Sequence, residues 1–216
     1  MIGALLNLLY PARCVFCGIR MDGGEVCVCG ACRTSLPRAA EGRSLDIRAP
    51  WLYRGPVRKA LHRFKFGGAT MYARTFGAVM AQCVQAEDYD LVAWVPCGWR
   101  RRLKRRFDQS RLLALKVARA LDRPLVSLLV RKRHGRAQFR AEHADERRRN
   151  VKDAFAVRPK SRKALPAGAR VLLVDDICTT GATFSECRRV ILEAGAGRVT
   201  LLAAARTRNE FDKTTP

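Results

Sequence analysis

Residues 171–183 spell VLLVDDICTTGAT, an order that few architectures can hold. An unbroken apolar run delivers two adjacent carboxylates, Asp175 and Asp176, to its end. Three hydroxyl residues, Thr179, Thr180 and Thr183, then surround Gly181. Strands this uniformly apolar are covered on both faces, as in parallel sheets flanked by helices. In such sheets ligands bind beyond the C-terminal ends of the strands. Gly181 permits a tight turn and the close approach of a ligand. The helix expected after it offers free N–H groups and the positive end of its dipole, which suits an anion. The pattern therefore predicts a phosphate on the loop and a diol or metal on the carboxylates. It lacks the GKS/T of a Walker A loop and the G-x-G-x-x-G of a dinucleotide fold.

The rest of the chain fits the same class. With 216 residues it has room for one domain and a small appendage. Val57, Leu61 and Phe64 mark one face of a helix, and Phe76, Val79, Met80 and Cys83 mark a second. DYDLVAWVP is a buried strand stopped by Pro96, and SRLLALKVARALDRP a helix with Ser110 as candidate N-cap and Pro124 as its stop. PLVSLLV suggests another strand, FSECRRVILEAGAG a helix stopped by glycine, and RVTLLAAA a further strand. Strand–helix alternation implies right-handed crossovers and a mostly parallel sheet. Residues 131–150 are basic and lack apolar periodicity, so they are expected to form an exposed excursion.

Cysteines cluster at the other end. Cys14-Val-Phe-Cys17-Gly and Cys29-Gly-Ala-Cys32 form C-x2-C-x11-C-x2-C, which supplies the four soft ligands of a closed tetrahedral zinc site. Cys27 is a fifth candidate that could replace Cys29. Ile2, Leu5, Leu6 and Leu9 predict a short amphipathic helix rather than a signal peptide, and no apolar run approaches the ~18 residues of a membrane span. A cytoplasmic protein is expected. Its boundaries are placed at 1–48 for helix, ribbon and linker, and at 49–216 for the α/β domain.

The net charge is +23. Residues 98–150 carry 18 Lys and Arg against five Asp and Glu, an excess that calls for an anionic partner. Arg100, Arg101, Arg102, Lys104, Arg105 and Arg106 lie between Trp99 and Phe107. Cations interleaved with aromatics suit single-stranded nucleic acid, because bases stack while cations track phosphates. Lys65, in FKFGG, is a candidate phosphate contact.

The order of these pieces carries a resemblance. LHRFKFGG, VPCGWRRRLKRRFDQS, KRHGRAQ, ERRRNVKDAF and VLLVDDICTTGATFSEC together resemble the ComF family of bacterial competence proteins (ComFC and GntX-like members). That family joins a zinc ribbon to a type I phosphoribosyltransferase domain. The resemblance implies that Asp175 and Asp176 bind the ribose hydroxyls of phosphoribosyl pyrophosphate (PRPP) with Mg²⁺ nearby. It implies that Cys178, Thr179, Thr180, Gly181, Ala182 and Thr183 wrap the 5′-phosphate, and that Zn²⁺ sits on Cys14, Cys17, Cys29 and Cys32. It further implies handling of single-stranded DNA in natural transformation beside a helicase-like partner, and it leaves phosphoribosyl transfer open as an activity. The alternatives are a housekeeping phosphoribosyltransferase of nucleotide metabolism and a non-catalytic DNA-binding module with a relic site. Three positions depart from the family pattern. Trp94 stands where the family has the first proline of PVP, Asp108 where Asn is usual, and Gly135 where Thr is common.

Overall fold

The computed structural model describes residues 12–21, 26–39, 47–66, 70–98, 107–132, 151 and 153–207. The expected N-terminal helix, the basic run 99–106 and most of the excursion 131–150 lie outside them. In chain order the elements are α1 (Gly30–Ser35), β1 (Ile47–Arg48), β2 (Trp51–Leu52), α2 (Gly55–Phe66), α3 (Thr70–Ala81), β3 (Leu91–Trp94), α4 (Gln109–Ala120), β4 (Leu129–Arg131), β5 (Phe155–Val157), β6 (Arg170–Cys178), α5 (Ala182–Glu193) and β7 (Arg198–Arg206).

The main sheet is parallel throughout. β6 lies between β3 and β7, and β1 and β2 pair in turn with β7 along its outer edge. Ile47 is opposite Leu201, and Trp51 opposite Ala205. The α/β expectation holds, with side chains alternating between two cores. Leu172, Val174 and Leu202 face α2, α3 and α4 and the cysteine segment. Val171, Leu173 and Leu201 face α5 and the β4–β5 pair.

Two expectations need correction. PLVSLLV is strand only at Leu129–Arg131, and its partner is β5, antiparallel, in a separate two-stranded sheet. The front of that segment flanks β3 instead: Val92 N–H donates to Pro124 O, and Val126 N–H donates to Val92 O. Ser110 does not cap α4. Asp108 does, its Oδ1 accepting from Arg111 N–H at 3.2 Å. Ser110 is one residue inside the helix and buried, because its hydroxyl is used elsewhere.

α3 and α4 approach closely at Gly77. A Cβ on that residue would lie 2.3 Å from Lys116 Cβ, so only glycine admits this spacing. Beneath these helices Phe16 meets Trp51 edge-on at 5.1 Å and Phe76 at 6.0 Å. Such aromatic pairs add roughly 0.5–1.5 kcal/mol each beyond their burial. The cysteine segment is thereby sunk into the same core as α3 and β2.

Candidate functional site

β6 runs two residues past its acids, to Cys178, and the turn that follows enters α5. The alternation of faces breaks at the acids. Val174 and Ile177 both pack toward the α2–α4 core, while Leu173 and Cys178 belong to the other. The break lets both carboxylates meet groups from helices on one face. Ser110 Oγ, on α4, donates to Asp175 Oδ1 at 2.7 Å, and Asp176 N–H donates to the same oxygen at 2.8 Å. Lys65 Nζ, near the end of α2, lies 2.8 Å from Asp176 Oδ2, with side-chain exposures of 18% and 14%. Gln109 Nε2 donates to Lys65 O at 3.4 Å.

These contacts give the two acids different surroundings. Burial, then the charge of Asp176, pushes the Asp175 carboxyl up to about 7, against the pull of Ser110 and the Asp176 N–H. Asp176 has an ammonium beside it. A neighbour pair of this kind has one acid poised near neutrality and one held by a cation.

The phosphate-loop candidates come together beside them. A small open concavity of about 40 Å³ is lined by Asp175, Ile177, residues 178–184 and Leu201. Gly181 has φ +74° and precedes α5 as its N-cap, a left-handed conformation that glycine adopts without strain. Thr180 Oγ1 accepts from Ala182 N–H at 3.4 Å. The loop is anchored from β7: Thr207 N–H donates to Cys178 O, and Thr207 Oγ1 to Thr179 O at 3.0 Å. Thr179 and Thr180 are exposed at the mouth, where the first turn of α5 presents N–H groups. Burial and the Asp175 charge push the Cys178 thiol up to about 11, so it is no nucleophile at neutral pH.

The second cluster is the thiol set. Sγ atoms of Cys14, Cys17, Cys29 and Cys32 lie within 4.8 Å of one another, and Cys17 Sγ is 3.6 Å from Cys29 Sγ. Zn–S bonds of about 2.3 Å in a tetrahedron place sulfurs about 3.8 Å apart, so the set has the dimensions of a zinc site. Cys29, not Cys27, completes it. Cys27 is held instead by its N–H donating to Thr75 Oγ1 at 3.1 Å. Backbone N–H groups feed the sulfurs, Cys29 N–H to Cys14 Sγ and Cys32 N–H to Cys29 Sγ, each at 3.5 Å. Burial raises the Cys14 thiol, but backbone hydrogen bonds outweigh it and hold it down to about 6. Burial and the neighbouring sulfurs push Cys32 up. Arg63 on α2 clamps this knuckle, donating to Val15 O at 3.0 Å and Phe16 O at 2.8 Å.

The proposed nucleic-acid residues Trp99, Arg100, Arg101, Arg102, Lys104, Arg105 and Arg106 fall outside the described residues. Ser110 is the site residue that sequence reasoning misplaced. A serine just before an apolar helical pattern signals a cap, and nothing local announces a partner on β6.

Parallel sheet, carboxylate pair, glycine turn and helix start fit a phosphoribosyltransferase-type domain. Residues 108–213 match the phosphoribosyl transferase domain family. Over 93% of its length the chain is 26% identical to the DNA utilization protein YhgH of Escherichia coli, covering 99% of that protein. It is 29% identical to competence protein F of Haemophilus influenzae, over 82% of this chain and 84% of that one. Among solved structures, a Bacillus subtilis glutamine PRPP amidotransferase matches 60% of this chain and 25% of its own, at 25% identity and a TM-score of 0.41. Over most of its length the chain is thus similar to competence and DNA-utilization proteins, with an N-terminal four-cysteine cluster ahead of the segment that matches the phosphoribosyl transferase domain family. Among the described residues no helix is long and apolar enough to cross a membrane.

Proposed function

We propose that this is a competence-type protein that binds PRPP, or a related phosphorylated sugar, and handles single-stranded DNA, with a structural Zn²⁺ on Cys14, Cys17, Cys29 and Cys32. The observation that carries the sugar-phosphate reading is the open concavity shared by Asp175 and the 178–184 turn at the end of β6. The first N–H groups of α5 and the hydroxyls of Thr179, Thr180 and Thr183 take the 5′-phosphate. Asp175 and Asp176 take the ribose diol. Ser110 and the Asp176 N–H occupy Oδ1 of Asp175, which leaves Oδ2 for the ligand.

A divalent cation fits here on the chemistry of the donors: Asp176 already keeps a positive charge against its carboxylate in the form of Lys65. Mg²⁺ entering with the pyrophosphate would be held at Asp175 and Asp176 and would neutralise the leaving charge. Lys65, displaced from Asp176, would serve a ligand phosphate as a point charge. Substitution at the anomeric carbon depends on positioning and charge stabilisation more than on a nucleophile of the protein. The relatives' names support the DNA side, and a helicase-like competence protein is the partner this reading implies.

Calorimetry tests it. The parent should bind PRPP with Mg²⁺ and lose that binding on Asp175→Ala/Asp176→Ala. A parent that shows no Mg²⁺-dependent binding would mark the site as a relic.

A further inference from the structure

Between the thiol set and the carboxylates runs a surface that neither uses. From Ile47 to Ala86 the sequence contains no Asp or Glu, yet it carries seven Lys and Arg. Within that stretch α2 buries Val57, Ala60, Leu61 and Phe64 and exposes Arg58, Lys59, His62, Arg63 and Phe66. At about 3.6 residues per turn these five occupy one arc. Its margins are fixed by contacts already described: Lys65 reaches Asp176 on one side, and Arg63 grips the knuckle carbonyls on the other. Phe66 is 55% exposed, and its ring centroid is 4.6 Å from that of His62, tilted by 42°.

An ordinary solvated helix face mixes both signs of charge. This one does not. Lys59 and Arg63 are spaced i, i+4, an arrangement of like charges that weakens a helix. The first turn also lacks the acids that would favour the dipole. A helix that tolerates these penalties and presents an exposed ring pair among cations has the composition of a stacking platform set in a phosphate track. An acidic polypeptide would satisfy the charges but would have no use for the rings.

We propose that the exposed face of α2 binds single-stranded DNA, with a base stacked on Phe66 beside His62 and flanking phosphates on Arg58 and Lys59. The inference rests on the DNA-handling reading and places the contact on residues distinct from the basic run 99–106. It also sets the strand across the ridge between the metal knuckle and the sugar-phosphate site.

The test is fluorescence anisotropy of a labelled oligothymidylate against the full-length protein over a salt series. Phe66→Ala should weaken binding about fivefold or more with an unchanged salt slope, because stacking releases no counterions. Phe66→Leu should weaken it similarly and Phe66→Trp should restore it, which separates ring stacking from loss of bulk. Arg58→Glu/Lys59→Glu should weaken binding and flatten the slope by about 1.4, at roughly 0.7 per phosphate on single strands. Melting temperatures matching the parent exclude unfolding as the cause. If these variants bind like the parent while Arg101→Glu/Arg105→Glu loses affinity, α2 is not the DNA surface and the DNA-handling reading survives. A parent that fails to bind the oligonucleotide at low salt overturns both. Displacement by polyglutamate as effective as by unlabelled oligonucleotide overturns the assignment of α2 to DNA.

Discussion

Asp175→Asn isolates what the buried carboxylate costs the fold. The Asp175 carboxyl is raised to about 7 by burial and by Asp176, against about 3.9 for an unperturbed aspartate. Between those values the folded chain holds a proton that the unfolded chain has released. Stability therefore falls as pH rises from about 4 to about 7 and levels off above. Three pH units at 1.36 kcal/mol each set a ceiling of roughly 4 kcal/mol. The residue is only partly buried, and solvent screening reduces the expected loss to about 2 kcal/mol. Asparagine has the same shape, stays neutral, and can still accept from Ser110 Oγ and Asp176 N–H through Oδ1. Parent and variant should thus unfold alike near pH 4, with the variant ahead by about 2 kcal/mol at pH 8. Urea unfolding at four pH values between 4 and 8 gives the comparison. Asp90, held down to about 2 by Arg170, contributes stability that is lost only as pH falls toward that value, so it does not enter this window. A stability difference that is constant from pH 4 to 8 would refute the reasoning. The more stable variant should also be the one that loses Mg²⁺–PRPP binding, a trade of stability for function.

Two further outcomes follow from packing. Gly77→Ala should destabilise by about 1–3 kcal/mol despite alanine's better helix propensity, because its Cβ would collide with Lys116 Cβ. A melting temperature equal to or above the parent's would show that α3 and α4 can separate freely. Stripping metal from the thiol set with a chelator should lower the main unfolding transition, because Phe16 shares one core with Trp51 and Phe76. A separate low-temperature transition with the main one unmoved would contradict that coupling.

What the sequence disclosed was local. The strand–acid–glycine–helix order of residues 171–183 carries its own periodicity and turn chemistry, and the paired C-x-x-C spacing fixes a ligand set by short-range geometry. Three features escaped because they depend on distant partners. The two-residue strands at Ile47 and Trp51 are too short to show alternation and exist only as partners of β7. Ser110 looked like a cap because capping is judged from a few neighbours, whereas its hydroxyl answers to Asp175 on another element. Lys65 announced a charge near a glycine turn but not the carboxylate it meets. The break in face alternation at Asp175 and Asp176 is also invisible in a run of apolar residues followed by acids, since both phases spell the same letters.

The pairing of β1 and β2 with β7 has a consequence for how the chain is made. Ile47 and Leu201 are direct partners, so the early strand must wait while some 150 residues are synthesised. At about 5–20 residues per second that delay is on the order of 8–30 s. The four thiols, by contrast, all fall between Cys14 and Cys32 and can close around a metal as soon as that short stretch leaves the ribosome. The knuckle then exists before the core meant to receive it, with Phe16 exposed until Trp51 is locked beside β7. A metal held by these four thiols would be captured early on the growing chain, and β7, emerging late, would seal β1.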